Sequence, residues 1–225
     1  METIVISLGG SLIVPEQIDI DFLKEFKTLI LSQVAQGKKF VIITGGGKTC
    51  RRYNDAVEKI ITTTKDDLDW LGIAATRLNA ELVRIVFGDL AFDKIIMDPD
   101  MMPNTDKSII LGGGWKPGNS SDLAAIHCAK SVGAKRIINL SNTDYLYDSD
   151  PRINPEAKKI ENISWADFRK LIPKEWKPGL NFPFDPSASK MAEEERIEVI
   201  TMNGKLIDNL AKCLNGEKFL GTIIK

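Results

Sequence analysis

The sequence predicts an α/β fold in which a mostly parallel sheet is covered by helices on both faces. Three observations carry that expectation. Short, continuously apolar, β-branched runs recur along the chain, the composition of strands buried on both faces. Segments with apolar residues at helical spacing alternate with them, which is the βαβ rhythm of a parallel sheet. Several of the runs end directly in glycines, marking tight turns at strand exits.

Taken in order, TIVISL (3–8) reads as a first strand stopping at Gly9-Gly10. Residues 19–36 place Ile20, Leu23, Phe26, Leu29, Ile30 and Val34 on one helical face before Gly37. KFVIIT (39–44) is a second strand, and 48–61 and 67–87 read as helices. The longer one is expected to bury Leu71, Ala75, Leu78, Leu82 and Ile85. KIIMD (94–98) and SIILGG (108–113) read as strands, 121–132 as a helix, and RIINLS (136–141) as a strand. Turn-forming residues and alternation between about 145 and 163 predict a hairpin, an antiparallel excursion. Helix 186–194, strand 197–202, helix 204–214 and a last strand in GTIIK complete the pattern. Residues 99–108 and 173–186 are expected to be irregular, and a long irregular loop in a small domain is more often functional than idle.

Composition narrows the function. The 225 residues suit one large or two small domains, and I-, L- and V-rich runs among 43% apolar residues supply a core without staples. A formal net charge of -1 gives no global field to attract nucleic acid or an anionic membrane, so an anion site must be local. Cys50, Cys128 and Cys213 form no CxxC pair and no zinc spacing, which suits a reducing compartment. The first ten residues lack the basic region and apolar core of a secretory leader, and no run approaches the length of a membrane helix. A cytoplasmic protein is expected, with no membrane or nucleic-acid partner. The single histidine, His127, falls mid-helix and is expected to be structural.

In open α/β sheets ligands bind beyond the carboxyl ends of the strands. There the sequence places Gly9-Gly10-Ser11, Gly45-Gly46-Gly47-Lys48 and Gly112-Gly113-Gly114. Glycine lets backbone approach a ligand closely, and a following helix N-terminus offers free N–H groups and a positive dipole end. Lys48, Arg51 and Arg52 in the first turns oppose that dipole, so a bound anion would account for them. Neither GxxxxGK[ST] nor GxGxxG is present, so no P-loop or dinucleotide fingerprint is involved.

Six segments occur together: ISLGGSL, TGGGKTCRRY, DWLGIAATRLNA, GGWKPGNSSDLAA, NLSNTDYLYDSDPRINPEAKKI and FDPSASK. In this order they resemble the amino acid kinase superfamily, and within it the archaeal-type branch of UMP kinases, over essentially the whole chain. The resemblance implies a three-layer αβα sandwich with a mainly parallel central sheet. It also implies a single domain, with about 1–135 binding the acceptor and about 136–225 binding ATP. Phosphoryl transfer from ATP with Mg²⁺ to UMP would give UDP, in a homo-oligomer, a hexamer arranged as a trimer of dimers. Gly10 and Ser11 match the first loop near the donor phosphates. Gly46 matches an acceptor contact, while Gly47 and Arg51 match contacts to the transferring phosphates. Asp69 matches the carboxylate that reads the acceptor ribose. Trp115, Lys116, Pro117, Gly118, Asn119, Ser120 and Ser121 match the loop that wraps the acceptor. Asp122 matches an aspartate that orients the catalytic cations, and Lys190 a lysine facing the ATP phosphates. Ser141, Asn142, Tyr147 and Asp150 match the adenine-nucleotide pocket. No residues are assigned as dedicated metal ligands.

The chemistry fits without a base, because the acceptor phosphate, with a second pKa near ~6, is already anionic at neutral pH. The chain departs from the family pattern mildly at Ser120, Ser121 and Ser141, each in place of threonine, and more strongly in four places. Ser7 stands where many members have lysine, Trp115 replaces a small hydroxyl residue, Asn119 replaces histidine, and Tyr145 occupies a glycine position. Tyr145 would be strained if that position needs a positive φ, and the indole of Trp115 would either stack on a base or fill part of the pocket. Two other functions therefore stay open: transfer to a different small acceptor, and nucleotide or oxyanion binding without catalysis.

Overall fold

The structure is a computed structural model, and it describes residues 2–149, 153–172 and 184–225. Asp150 of the expected nucleotide pocket, the tip of the hairpin and most of the 173–186 loop lie outside the described residues. The central sheet has seven strands, ordered β3 (Ile109–Gly112), β2 (Lys39–Thr44), β1 (Thr3–Leu8), β4 (Arg136–Ser141), β8 (Glu198–Asn203), β9 (Thr222–Ile224), β7 (Asn162–Ile163). The first five run parallel; β9 is antiparallel to β8, and β7 is parallel to β9. The hairpin is a separate pair, β5 (Leu146–Tyr147) with β6 (Lys159–Ile160). The helices are α1 (Gly10–Ile13), α2 (Ile20–Ala35), α3 (Gly47–Glu58), α4 (Lys65–Phe87), α5 (Ser121–Val132), α6 (Trp165–Leu171), α7 (Pro186–Glu194) and α8 (Ile207–Leu214).

The strand period of two divides the core. Ile4, Ile6, Leu8, Phe40, Ile42, Ile138 and Leu140 face one side, against α2, α4 and α8. Val5, Val41, Ile43, Ile137 and Val199 face the other, against α5, α6 and α7. Helices thus cover both faces, as the continuous apolar strands require. Ser7 belongs to the second face, beneath α5, and is buried.

Local sequence explains where the helices start. Thr64 and Asp67 form a reciprocal capping box on α4. Ser120 accepts the Leu123 N–H at the start of α5, and Asp185 accepts the Ala188 N–H at the start of α7, with Pro186 at its first position. Gly133, with φ 69°, closes α5 in the left-handed conformation.

Four expectations need correction. KIIMD is not a strand: only an isolated bridge joins Ile96 to Gly112. The buried face of α4 carries Ile73, Ala75, Thr76, Asn79, Ala80, Val83 and Phe87, while Leu78 and Ile85 are 63% and 61% exposed. Ala75 is buried and Leu82 packs against the core as expected, but apolar residues lie on two sides of this helix, and periodicity alone does not tell which of them faces the sheet. The turn after β1 contains helix α1, and α6 was not anticipated; both are short, below the length at which a period shows. Tyr145 is unstrained: among the described non-glycine residues only Arg196 has a positive φ, of 55°.

Candidate active site

The carboxyl ends of β3, β2, β1, β4 and β8 share one sheet edge, because these strands are parallel neighbours. The three glycine turns expected from the sequence therefore meet there. The first two interlock through backbone. A Cβ on Gly10 would stand 2.1 Å from the Gly47 nitrogen, and one on Gly47 would stand 2.3 Å from the Gly10 carbonyl oxygen. Gly47 also has φ 61°, a conformation side chains resist. The Gly45 N–H donates to Leu8 and the Lys48 N–H to Val14, 2.9 Å each, and Asn79 on α4 donates to the Gly45 carbonyl at 2.8 Å. Close backbone packing of this kind leaves no side chain between strand exit and crevice.

Cations past these turns are not equivalent. Lys48 and Arg52 both pair with Glu16, at 3.0 and 3.1 Å. Arg51 is exposed and pairs with no carboxylate among the described residues. Of the three cations suggested by the sequence, Arg51 alone remains available to a ligand. Lys190 is exposed in the second turn of α7 and likewise has no described ion-pair partner.

A carboxylate pair sits beside the first turn. Ser7 donates to Asp122 at 2.9 Å, and the Asp185 N–H reaches the other Asp122 oxygen at 3.3 Å. Burial pushes the Asp122 carboxyl up to about 6, the Ser7 hydroxyl opposing this and the Asp185 charge adding to it. Burial also raises Asp185, whose oxygens accept from Ala188, Ser187 and Ser120. The start of α5 and the start of α7 are thereby stitched together next to β1. Asp185 was not anticipated, although an Asp-Pro pair before a helical run is a readable cap signal.

The loop after β3 lies along α4. Asp69 accepts the Gly118 N–H at 2.7 Å, leaving its other oxygen open to a ligand hydroxyl. The Gly114 N–H donates to the Thr76 hydroxyl at 2.6 Å. Arg77 donates to the Gly114 and Trp115 carbonyls at 3.2 and 3.0 Å. Gly113 is pressed onto the helix, where a Cβ would lie 2.9 Å from the Arg77 nitrogen. The Trp115 indole packs edge-on against His127 with ring centroids 5.0 Å apart, under the Lys116 ammonium. His127 itself bonds Asp100 at 2.8 Å, the structural role expected of it. Asn119 bonds within the loop, to Pro117, and Ser120 is engaged as the α5 cap; Ser121 opens that helix. Thr76, Arg77 and Asn79 were missed: single polar residues inside an amphipathic helix carry no ligand signature.

On the β4 side, Ser141 closes a small turn with Thr143, Asn142 is exposed, and Tyr147 is half-buried in β5. Ser11 sits in the first turn of α1 and Gly46 caps α3. The edge thus divides into a half built by β1, β2, β3 and α4 and a half built by β1, β4 and α7, with Gly10, Gly47 and Arg51 between.

Residues 2–203 match the amino acid kinase family. The chain belongs to this family. Uridylate kinase from Thermoplasma acidophilum is 34% identical over 99% of this chain and 96% of its own length. Uridylate kinase from Methanobrevibacter smithii is 31% identical over 96% of each. The crystal structure of uridylate kinase from Archaeoglobus fulgidus superposes with a TM-score of 0.82 at 28% identity, covering both chains fully. The UMP kinase of Bacillus anthracis, at 20% identity and a TM-score of 0.79, shares the fold. No described helix is long and apolar enough to cross a membrane.

Proposed function

We propose that the chain is a UMP kinase, transferring the γ-phosphoryl of ATP to UMP to give UDP and ADP, for pyrimidine nucleotide synthesis. The observation that carries the reading is the interlocked pair of glycine turns with the free Arg51 beyond them and Asp69 across the gap. Residues about 1–135 receive the acceptor and about 136–225 the ATP. A phosphate oxygen of UMP attacks the γ-phosphorus while the bond to the β-bridging oxygen breaks and ADP departs. Nothing need remove a proton; the barrier is the meeting of two anions. Gly10, Ser11 and Gly47 present backbone to the phosphates, Arg51 and Lys190 supply positive charge, and Asp69 with the 115–121 loop fixes the acceptor. Ser141, Asn142, Tyr147 and Asp150 belong to the ATP side in this reading.

Among the described residues no group of three or more His, Cys, Asp or Glu side chains forms a metal cage. Mg²⁺ would be brought in on the ATP phosphates, and Asp122 and Asp185, joined at 3.3 Å, would help to orient it. When bound, Mg²⁺ offsets charge on the β- and γ-phosphates.

The assembly reading, a hexamer as a trimer of dimers, draws support from α4, which leaves Trp70, Leu78 and Ile85 more than half exposed. Light scattering would measure that mass. The free thiols of Cys50, Cys128 and Cys213 support a cytoplasmic, reducing location. The deciding experiment is an acceptor screen with ATP and Mg²⁺ over UMP, CMP, dUMP and small acids. UDP formation with the others much poorer is expected, and transfer to another acceptor instead overturns the assignment. One observation favours binding without turnover: Ser7 gives Asp122 a hydroxyl where a cation would balance it. ATP binding without ADP formation against every acceptor would select that reading.

A further inference from the structure

We infer that Arg77 is a positioning residue for the acceptor: it holds the 114–118 loop in its binding shape and so governs acceptor affinity. This rests on the reading of that loop as the acceptor's. Arg77 is half-buried, and burial lowers its pKa, although a guanidinium stays charged. A desolvated arginine ordinarily meets a carboxylate, yet among the described residues Arg77 pairs with none. Its donors go to two successive carbonyls, those of Gly114 and Trp115. A planar fork matches two adjacent acceptors as a lysine ammonium does not.

Its neighbours on α4 complete the clamp. Thr76 accepts the Gly114 N–H, so both polar groups of that residue are tied to consecutive helix side chains. Asp69, two turns or about 10 Å up the helix, takes the Gly118 N–H. Residues 114–118 are thus stretched between fixed points on one rigid element. The far anchor is Gly118, with φ 77°, a glycine that would sample other shapes if released. The guanidinium also leaves an unneutralised positive charge directly behind the loop, on the side toward which an anionic acceptor is drawn.

The test compares Arg77→Met and Arg77→Lys with the unaltered protein in steady-state kinetics, thermal unfolding and hydrogen exchange. Arg77→Met is expected to raise the UMP KM by about 10- to 100-fold, the loss of charged hydrogen bonds, with the ATP KM within about two-fold. Amides of 114–118 should exchange faster while the rest of the sheet keeps its protection. Arg77→Lys should recover part of both effects. An unchanged UMP KM, an equal rise in both KM values, or unchanged loop exchange overturns the inference. If the methionine variant does not fold, the lysine variant carries the same comparison. If the unaltered protein does not phosphorylate UMP, the functional reading fails, and exchange at 114–118 without nucleotide still decides the role of Arg77.

Discussion

Gly10→Ala tests the interlocked turns most directly. The added methyl would lie 2.1 Å from the Gly47 nitrogen and 2.5 Å from the Gly45 carbonyl carbon, against an ordinary contact of 3.4 Å or more. The β1 and β2 exits must therefore part by about 1.3 Å, the difference between 3.4 and 2.1 Å. Both neighbours are backbone, anchored by the Gly45 and Lys48 amide bonds, so the strain has no flexible side chain to relax into. Overpacking of this severity costs about 3 kcal/mol, or about 6–12 °C in Tm for a chain of this size. A displacement near 1 Å at a phosphate-holding turn lowers turnover by about 100-fold. Thermal unfolding and a coupled assay of ADP release read the two effects. Gly37→Ala is the control: φ is 89° there, but nothing lies within 4 Å, so it costs about 1 kcal/mol of backbone strain and leaves turnover alone. Native Tm and activity in Gly10→Ala would refute the interlock. Equal activity loss in both variants would show that stability, and not the turn, was being measured.

Three further outcomes follow from the same geometry. Arg51→Ala should lower kcat/KM by about 100-fold or more, whereas Glu16→Gln, which frees Lys48 and Arg52, should leave it unchanged; retained activity in Arg51→Ala would remove that residue from the site. Asp122 binds its proton more tightly folded than unfolded, with a pKa of about 6 against the usual 3.8. Its contribution to stability therefore falls as pH rises from about 4 to about 6, by about 3 kcal/mol. Asp122→Asn adds a constant offset from the lost Asp185 contact but should erase that slope, so parallel stability–pH profiles would contradict the burial argument. His127→Ala, which removes the ring contact with Trp115 and the bond to Asp100, should cost about 1 kcal/mol, or about 2–4 °C, without slowing turnover.

The strands and their glycine exits were legible because a buried parallel strand must be apolar throughout and its turn must admit close backbone. That signal marked the Gly9-Gly10 and Gly45-Gly46-Gly47 turns, which the structure interlocks. It failed where a residue type serves two masters. Leu78 and Ile85 are as apolar as Val83 and Phe87, so the sequence of α4 does not say which stripe meets the sheet. Ile96 lies in an apolar run yet contributes one bridge, because Pro99 and the turn-forming residues after it end any ladder. The choice among Lys48, Arg51 and Arg52 was not legible either, since it depends on Glu16, thirty-odd residues upstream, folding back across the α3 terminus. Trp115 was expected to matter by its size, yet its backbone carbonyl, held by Arg77, is what faces the loop's neighbours.

The economy of charge explains the arrangement as a whole. A phosphoryl transfer between two phosphates needs positive potential more than it needs a proton carrier, and a chain of net charge -1 must concentrate what it has. At this edge two of the nearby cations are neutralised by Glu16, and two buried carboxyls, Asp122 and Asp185, add negative charge beside β1. Among the described residues, the positive groups there that pair with no carboxylate include Arg51, Lys116, Lys190 and Arg77 behind the 114–118 loop, beside the helix termini that follow the glycine turns. Arg51 lies on α3, Arg77 on α4 and Lys190 on α7, so the positive charge comes from several separate elements. The raised Asp122 carboxyl is the electrostatic cost of burying an acid at that edge, with the Asp185 charge adding to it.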